Sequence, residues 1–430
     1  MFLKKIKNEA LGGEIYIENT QTFKIVVEPD RIDEIHTGDE TGLAIRIIEP
    51  NFATNFYTTH VEPKILSKKF SIPFNKENNS LGEEKLSERL QFLEEIKQHI
   101  LQEPCIKHYK IIFVETKKQI FIFLPEKEPV SEERKYIRVG CLVVAEKDGK
   151  IERGYESLGY LLSFEEIKNR EDFILIGKKA SELAKKMLFA KRAPAGVMPV
   201  ILAGEAGGTM IHEAVGHGLE ADHAEEGFSV YSGRLGEKVA SEHITVIDDP
   251  CLFPLYGSYQ YDDEGFPAKK VVLIENGYLK NFLYDKLTAL KYGKEPNGHG
   301  RRESFKHIPI PRMANTYIAK GSHNPEEILK SIDKGLLVKK MGGGEVNPLT
   351  GDFVFEVREG YYIEKGEIAY MVKGATLVGN GPEVLKKIDM VGNDLSFEAG
   401  TCGKDGQGVP VSDGQPTLRI PELTVGGTLS

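Results

Sequence analysis

One short stretch of the chain combines the side-chain types that a catalytic metal centre requires. The stretch from Gly208 to Glu220 reads Gly-Thr-Met-Ile-His-Glu-Ala-Val-Gly-His-Gly-Leu-Glu. Within it, His212, Glu213 and His217 form an H-E-x-x-x-H pattern. Imidazoles are common zinc ligands, and a carboxylate beside a ligand on the same helix can act as a general base. The pattern predicts a zinc-dependent hydrolase in which His212 and His217 hold the metal and Glu213 is the base.

The spacing of the two histidines makes a structural demand on the helix. They stand one residue further apart than in the H-E-x-x-H helix of common zinc peptidases. At about 100° per residue, positions i and i+5 of an α-helix diverge by roughly 140°, so a regular helix does not aim both imidazoles at one metal. A widened π-type turn brings them together, and glycine tolerates such distortion. We therefore predict a π-bulge or a helix break between His212 and His217, eased by Gly216 and Gly218.

The third ligand must come from elsewhere in the chain, because a catalytic zinc commonly takes three protein ligands and leaves one position open. The candidates are an acidic residue after the helix, another histidine or a cysteine: Glu220, Asp222, His223, His243, His299, His307 and Cys402. Flanking glycines around Cys402 allow tight turns and close approach. The residues alone leave this choice open, and they also leave open the donor to a reaction oxyanion: Arg312, Asn315 and His307 are candidates.

Length and charge limit the classes of protein to which the chain can belong. Its 430 residues exceed what one hydrophobic core usually serves, so two domains are expected. The formal net charge of -9 argues against a nucleic-acid partner, because phosphate neutralisation needs clustered Lys and Arg. No run approaches the roughly 18 apolar residues of a membrane helix, and the basic start Met1–Lys7 leads into no apolar segment. We therefore expect no membrane partner and a cytoplasmic location.

Glycine marks a change of character along the chain. Only 10 of the 44 glycines precede residue 195, so we predict an N-terminal domain of residues 1–192 and a C-terminal domain of residues 193–430. The second part is rich in short β segments and carries the histidine helix. Three of the four cysteines, Cys105, Cys141 and Cys251, have no metal-site spacing and are expected to be buried packing residues.

The first part alternates helix-like and strand-like patterns. Apolar residues recur at helical spacing in Leu86–Ile100 and again in Ile176–Met187. Two apolar runs, Ile111–Val114 and Ile120–Leu124, are separated by the polar Glu115–Gln119, which predicts a hairpin turn between them. Amphipathic helices that cover one face of an antiparallel sheet account best for this half, and no chemistry is expected in it.

Several segments together carry a specific resemblance to a known family. The histidine motif resembles that of the TldD/PmbA family of metallopeptidases. Four further segments match in the family's order: Tyr261-Asp262-Asp263-Glu264-Gly265, Gly300-Arg301-Arg302-Glu303-Ser304, Pro311-Arg312-Met313-Ala314-Asn315-Thr316 and Cys402-Gly403-Lys404-Asp405-Gly406-Gln407. They cover essentially all of the second half, whereas the first half matches more loosely, mainly around residues 42–48.

The resemblance implies a fold, a site and partners. The fold would be α+β, with a two-layer α/β N-terminal domain followed by a β-rich C-terminal domain that carries the metal-site helix. The zinc ligands would be His212, His217 and Cys402, with Glu213 as general base toward a metal-activated water. The family has TldD-like subunits with the zinc motif and PmbA-like (TldE) subunits without it, and this sequence resembles the former. It would hydrolyse peptides or unfolded polypeptides, as a dimer with a PmbA/TldE-like subunit or with itself.

Two alternatives remain on the residues alone. One is a non-catalytic peptide-binding subunit of a dimeric complex that binds extended peptides by strand addition. The other is a zinc amidohydrolase of small molecules. Glu213 disfavours the first, because a structural zinc site needs no carboxylate between its ligands.

Overall fold

A computed structural model describes residues 10–70, 81, 85–100 and 104–427, so the basic start Met1–Lys7 lies outside the described residues. Within them, no helix combines the length and the apolar character that crossing a membrane requires. The α-helices are α1 (Pro63–Phe70), α2 (Leu86–Ile100), α3 (Phe164–Ile167), α4 (Glu171–Ile174), α5 (Ile176–Leu188), α6 (Thr209–Ile211), α7 (Ala221–Ala224), α8 (Lys286–Tyr292), α9 (Pro325–Lys330) and α10 (Gly381–Lys387). A 3-10 turn (Gly204–Ala206) precedes α6, and a π turn (His212–Gly216) and a 3-10 turn (His217–Leu219) join it to α7.

The strands of the described chain fall into a first group before residue 161 and a second group after residue 190. The first group is β1 (Gly12–Glu28), β2 (Arg31–Ile48), β3 (Thr54–His60), β4 (Ile106–Phe123), β5 (Val130–Lys147) and β6 (Lys150–Tyr160). The second group is β7 (Lys191–Arg192), β8 (Gly196–Leu202), β9 (Val246–Asp248), β10 (Val271–Glu275), β11 (Tyr278–Leu279), β12 (Gly300–Arg301), β13 (Ile310–Pro311), β14 (Asn315–Ile318), β15 (Lys334–Val346), β16 (Asp352–Glu364), β17 (Glu367–Lys373), β18 (Thr376–Asn380), β19 (Met390–Val391), β20 (Ser396–Lys404), β21 (Gln407–Gln415) and β22 (Leu418–Gly426).

Within the described residues, the first group forms a six-stranded sheet in the order β3-β2-β1-β4-β5-β6. Every neighbouring pair of strands in it is antiparallel. Alternate residues such as Ile111 and Phe113 point to one face of this sheet. Helices α2 and α5 cover that face, and their apolar residues, including Ile96 and Ala180, join the strand residues in one buried core. The predicted two-layer arrangement of this half is confirmed.

The hairpin predicted around Glu115–Gln119 is wrong, because β4 runs through this segment without interruption. The polar residues pair with an equally polar stretch of β1, in which Asn19 lies opposite Gln119. Glu115 is buried and is held by Arg89, whose Nη2 lies 2.7 Å from its Oε2. A polar segment continues a strand when its neighbours supply the backbone and side-chain hydrogen bonds that a turn would otherwise leave to water.

The three cysteines expected to be packing residues have different environments. Cys141 is fully buried in the core under α2 and α5, and Cys105 packs against the same core. Cys251 is exposed, so the prediction is wrong for this residue.

Two larger sheets build the C-terminal part. The first has the order β11-β10-β9-β14-β21-β20 and is antiparallel except for the β14–β21 pair. The second has the order β15-β8-β22-β18-β16-β17-β7, and a further pairing of β15 with β16 closes five of its strands into a ring. The histidine segment packs into the core that both sheets share, through Ile211 and Val215. The predicted α+β fold class is thus confirmed, whereas the boundary between residues 192 and 193 stays a prediction.

Buried ion pairs join the first sheet to the C-terminal part. Arg46 on β2 lies 2.9 Å (Nη2–Oε2) from Glu14 on β1, and it also pairs with Glu264, which follows in the second half of the chain. Arg302 donates to Glu14 at 2.8 Å. All four side chains are almost completely buried. Because buried charges are tolerated only when they are paired, the segments around Glu264 and Arg302 dock the N-terminal sheet onto the C-terminal part.

Candidate metal centre

The helical segment that carries the two histidines changes its hydrogen bonding between them. The backbone N–H of His212 donates to the carbonyl of Gly208 at 2.8 Å, which is the usual α-helical bond. The backbone N–H of His217 instead donates to the carbonyl of His212, five residues earlier, and so forms a π turn. The predicted π-type distortion is confirmed. It brings the two imidazole rings together, with their centroids 5.0 Å apart.

Gly216 allows this turn because a larger residue would not fit beside its neighbours. Its backbone angles, φ −57° and ψ −52°, are ordinary helical values, so relief of backbone strain does not explain the glycine. A Cβ at this position would overlap the sulfur of Met313, which is fully buried. Gly218 is similar, because a Cβ there would lie 2.9 Å from the ring of Tyr231. The two glycines therefore let the turn sit directly against its neighbours.

Cys402 approaches the two histidines from another element, strand β20. Its Sγ lies 3.5 Å from Nε2 of His217. The ligand atoms of His212, His217 and Cys402 all lie within 4.8 Å of one another, and the three residues are 4%, 8% and 1% exposed. Of the candidates for a third ligand in the described chain, Cys402 is the one that lies with both histidines.

A carboxylate orients each imidazole. Nδ1 of His212 lies 2.6 Å from Oδ1 of Asp413, and Nδ1 of His217 lies 2.9 Å from Oε2 of Glu220. With Nδ1 engaged in this way, Nε2 is the nitrogen left to coordinate a cation. Metal-ligating histidines usually have such a partner on the second nitrogen, which fixes the tautomer and the orientation of the ring.

The three buried groups also shift one another's protonation. Burial alone would raise the pKa of the Cys402 thiol, but His212 and His217 lower this pKa to about 6. Burial would lower the pKa of His217, but Glu220 and Cys402 raise it to about 10. The pKa of His212 is likewise raised well above its usual value, mainly by Asp413 against the effect of burial. The cluster thus favours a thiolate surrounded by positive charge, an arrangement in which a divalent cation can replace the protons.

The donor set and its spacing fit zinc. Zinc–sulfur and zinc–nitrogen distances of about 2.3 Å and 2.1 Å at a tetrahedral angle would separate the two ligand atoms by roughly 3.6 Å. The observed separation between Sγ of Cys402 and Nε2 of His217 is 3.5 Å. Two nitrogens and one thiolate are also ligands that zinc prefers, and three protein ligands leave room for a fourth.

Glu213 is the accessible member of the motif. Its Oε2 lies 4.0 Å from Nε2 of His217, and its side chain is 33% exposed. The carboxylate therefore lies beside the ligand nitrogen and faces solvent. A molecule that approaches the cluster from solvent on this side can meet the carboxylate.

The other candidate ligands have different partners. Asp222 binds Lys404, His223 donates from Nδ1 to the carbonyl of His217, and His299 contacts Asp248. His307 bonds the hydroxyl of Ser304, and His243 is exposed. Two of the candidate oxyanion donors are engaged with the protein: Arg312 donates to the carbonyls of Cys402 and Gln407, and Asn315 to Asp249 and Ser258.

Sequence reasoning missed Asp413 as the partner of His212 and Lys404 as the partner of Glu220. Asp413 stands in no motif with the histidines and meets them only because β21 passes beside the helix. Lys404 had a signal, since it belongs to the Cys402–Gln407 segment. In a strand, residues i and i+2 share a face, so Lys404 points to the same side as Cys402.

Comparison with known proteins identifies two segments of the chain. The sequence model of the PmbA/TldA metallopeptidase C-terminal domain matches residues 195–427, and that of the central domain matches residues 81–188. The Metalloprotease TldD homolog of Buchnera aphidicola is 41% identical over 320 residues, which are 73% of this chain and 66% of that protein. The chain thus spans slightly less than two thirds of this relative. A metalloprotease of Methanocaldococcus jannaschii is 34% identical, with 95% of each chain covered.

Further relatives extend the comparison. The Zinc metalloprotease TldD homolog of Saccharolobus solfataricus is 31% identical over 369 residues, 84% of this chain and 80% of that protein. Among solved structures, TldE from Thermococcus kodakarensis has a TM-score of 0.74 at 19% identity and covers 99% of this chain and 98% of its own. A Thermotoga maritima protein named as a candidate modulator of a DNA gyrase has a TM-score of 0.78 at 22% identity, with 96% of each chain covered. These two structures share the fold.

Proposed function

The chain belongs to the TldD/PmbA family of metallopeptidases, and from this premise we propose that it is a zinc-dependent peptidase acting on peptides or unfolded polypeptides. One observation carries the proposal: the ligand atoms of His212, His217 and Cys402 converge within 4.8 Å beside Glu213. The zinc would be held by the two Nε2 atoms and by the Cys402 thiolate. When bound, it supplies a Lewis acid that polarises the scissile carbonyl and makes a water molecule more acidic.

Glu213 performs the proton transfers. Its carboxylate, one residue from a ligand on the same helix, accepts a proton from the attacking water on one oxygen. It then passes this proton to the nitrogen of the leaving amine. Partial exposure suits this role, because the carboxylate must reach both the water and the substrate.

The environment of Cys402 supports an extended peptide as the substrate. Strand β20 is last in its sheet, and within the described residues its hydrogen-bonded neighbour in that sheet is β21. Thr401 and Gly403, on either side of the ligand, are exposed. An extended peptide can add to the exposed part of this edge through main-chain hydrogen bonds, which do not depend on its sequence. Its backbone would then run past the ligand cluster.

We further propose a dimer, with a PmbA/TldE-like subunit or with a second copy, as the assembled form. A cytoplasmic location likewise remains a proposal that rests on the amino-acid sequence. Mixing experiments followed by light scattering would distinguish the two kinds of dimer, because the heterodimer requires the second chain.

A peptidase assay tests the proposed function. The chain, alone and with a candidate partner subunit, is incubated with unstructured peptides and with small amides, with and without a chelator. We expect cleavage of the peptides that the chelator abolishes and that added Zn²⁺ restores. Peptide binding without cleavage would favour the non-catalytic peptide-binding subunit, and cleavage of the small amides alone would favour an amidohydrolase.

A further inference from the structure

Lys404 is a buried cation close to the ligand cluster. It lies two residues after Cys402 on β20, and its side chain is 4% exposed. Its Nζ lies 3.0 Å from Oε2 of Glu220, 2.6 Å from Oδ1 of Asp222 and 3.0 Å from the carbonyl of Pro311. An ammonium group has three hydrogen-bond donors, and each has an acceptor here. This full set of partners fixes the position of the charge.

Glu220 connects Lys404 to a histidine of the cluster. The same oxygen, Oε2, bonds Nδ1 of His217 at 2.9 Å and Nζ of Lys404 at 3.0 Å. Glu220 is completely buried. A carboxylate in such a position is costly unless a cation pairs with it, so Lys404 allows Glu220 to stand against His217 as an anion.

Arg312 is a second buried cation beside the carboxylate of Glu220. Its Nη2 donates to the carbonyl of Cys402 at 2.5 Å, and its Nε lies 4.0 Å from Oε1 of Glu220. Arg312 also donates to Gln407, which lies opposite Lys404 across the β20–β21 hairpin. Arg312 thus bonds the backbone of one member of the cluster and places a positive charge near the carboxylate that orients another.

The second histidine is held differently. Asp413, which orients His212, has a side chain that is 15% exposed, and no Lys or Arg of the described chain bonds it in the structure. The orientation of His217 therefore depends on a buried Lys–Glu pair, whereas that of His212 depends on one carboxylate that solvent can reach. This asymmetry predicts unequal effects when the two partners are changed.

Glu220, Asp222 and His223 could be read as a second metal site, since their ligand atoms also lie close together. The ammonium of Lys404 is bonded to the first two of these residues. The ammonium of Lys404 thus neutralises the negative charge of these carboxylates, and the cluster holds Lys404 in place of a metal ion.

We propose that Lys404 is a positioning residue for the metal centre: through Glu220 it fixes the imidazole of His217 so that Nε2 faces Sγ of Cys402. The inference rests on the metal centre proposed above. It assigns to the Cys-Gly-Lys segment a second function beyond the thiolate, because Lys404 acts on the metal through Glu220 and His217 without contacting it.

Cobalt binding tests this role without any peptide. Co²⁺ is titrated into metal-free wild-type protein and into the Lys404→Met variant, and affinity and the visible absorption of the thiolate-bound cobalt are recorded. We expect Lys404→Met to raise the Kd for Co²⁺ by roughly 10- to 100-fold and to shift the cobalt absorption bands. Arg89→Met is the matched control, because it removes a buried cation from the Arg89–Glu115 pair, which packs against the core of the N-terminal sheet. It should lower thermal stability and leave Kd and spectrum unchanged.

The outcomes separate the two levels of the proposal. Lys404→Met with a wild-type Kd and spectrum would overturn the positioning role, even if its thermal stability fell as in Arg89→Met. Wild-type protein that binds no Co²⁺ with a thiolate spectrum would overturn the metal centre itself, and the positioning role with it. If Lys404→Met does not fold, Glu220→Gln decides, and an unchanged spectrum there overturns the inference. Where both Lys404→Met and Glu220→Gln fold, the double variant should have a Kd for Co²⁺ no higher than that of the single variant with the higher Kd. The two effects should not add, because both changes break one chain of contacts.

Discussion

The Sγ atom of Cys402 lies 3.5 Å from Nε2 of His217, although 185 positions separate the two residues in the chain. The thiol is buried and meets two imidazoles whose other nitrogens are already bonded to carboxylates. The three donors are thus oriented by the protein before any metal binds. Because each donor is already oriented, the loss of any one of them should lower the affinity for the metal.

Replacement of Cys402 by serine should weaken metal binding. A hydroxyl is a poorer zinc ligand than a thiolate at neutral pH, so we expect the zinc content measured by metal analysis to fall well below one equivalent. Cys251→Ser is the control, because Cys251 is exposed and is not among the three converging ligands, and it should keep full zinc content. Unchanged metal affinity in Cys402→Ser would point to Asp222 or His223 as the third ligand.

Replacement of Glu213 by alanine should separate catalysis from metal binding. General acid–base catalysis contributes typically 10²- to 10⁴-fold, so we expect kcat to fall by at least about 100-fold. Zinc content should stay near one equivalent, because Glu213 is not among the three converging ligands. Glu242→Ala changes an exposed glutamate and should retain activity. A Glu213→Ala variant with more than a small fraction of wild-type activity would refute the assignment of the base.

Replacement of Gly216 by alanine should destabilise the protein and distort the π turn. The added methyl group overlaps the buried sulfur of Met313, and overpacking of this kind costs about 1–3 kcal/mol. Gly343→Ala is the matched control, because a Cβ there meets no atom within 4 Å. Chemical denaturation should show a loss of stability for Gly216→Ala and little change for Gly343→Ala. Equal stabilities of the two variants would contradict the packing role of Gly216.

The burial of Glu264 at the junction between the two parts of the chain predicts a dependence of stability on pH. Burial raises the pKa of Glu264 to about 7; Arg46 acts to lower it, whereas Asp285 and Glu14 raise it further. The folded state therefore binds this proton more tightly than the unfolded state, in which the pKa is near 4.5. The stability from this group is fully present below pH 4.5 and is lost as the pH rises to about 7.

The Glu264→Gln variant should lack this loss. Its free energy of unfolding, relative to wild type, should rise between pH 4.5 and 7, by no more than about 1.4 kcal/mol per pH unit. Urea denaturation at several pH values measures the difference, with Glu242→Gln as an exposed control. A constant difference across this range would show that Glu264 is ionised throughout in the folded protein.

Local patterns in the sequence predicted much of the fold. Helical spacing located α2 with its observed bounds Leu86–Ile100, and the i,i+5 spacing of His212 and His217 predicted the π turn. Both follow from the fixed geometry of a helix, which needs no information about neighbours. The hairpin at Glu115–Gln119 was wrong because a polar run is typical of a turn, whereas pairing with the polar residues of β1 keeps β4 extended.

The sequence by itself determined the chemistry of the helix: two imidazoles, a carboxylate between them and a spacing that requires a π turn. It left the third ligand open among seven residues, and only the family resemblance indicated Cys402. Tertiary structure alone decided which distant groups surround the motif, since Asp413, Lys404 and Arg312 act through contacts between elements. The physical reason is that a residue's type and local spacing fix what it can donate or accept. Its partner is fixed only when sheets and helices pack and bury both groups together.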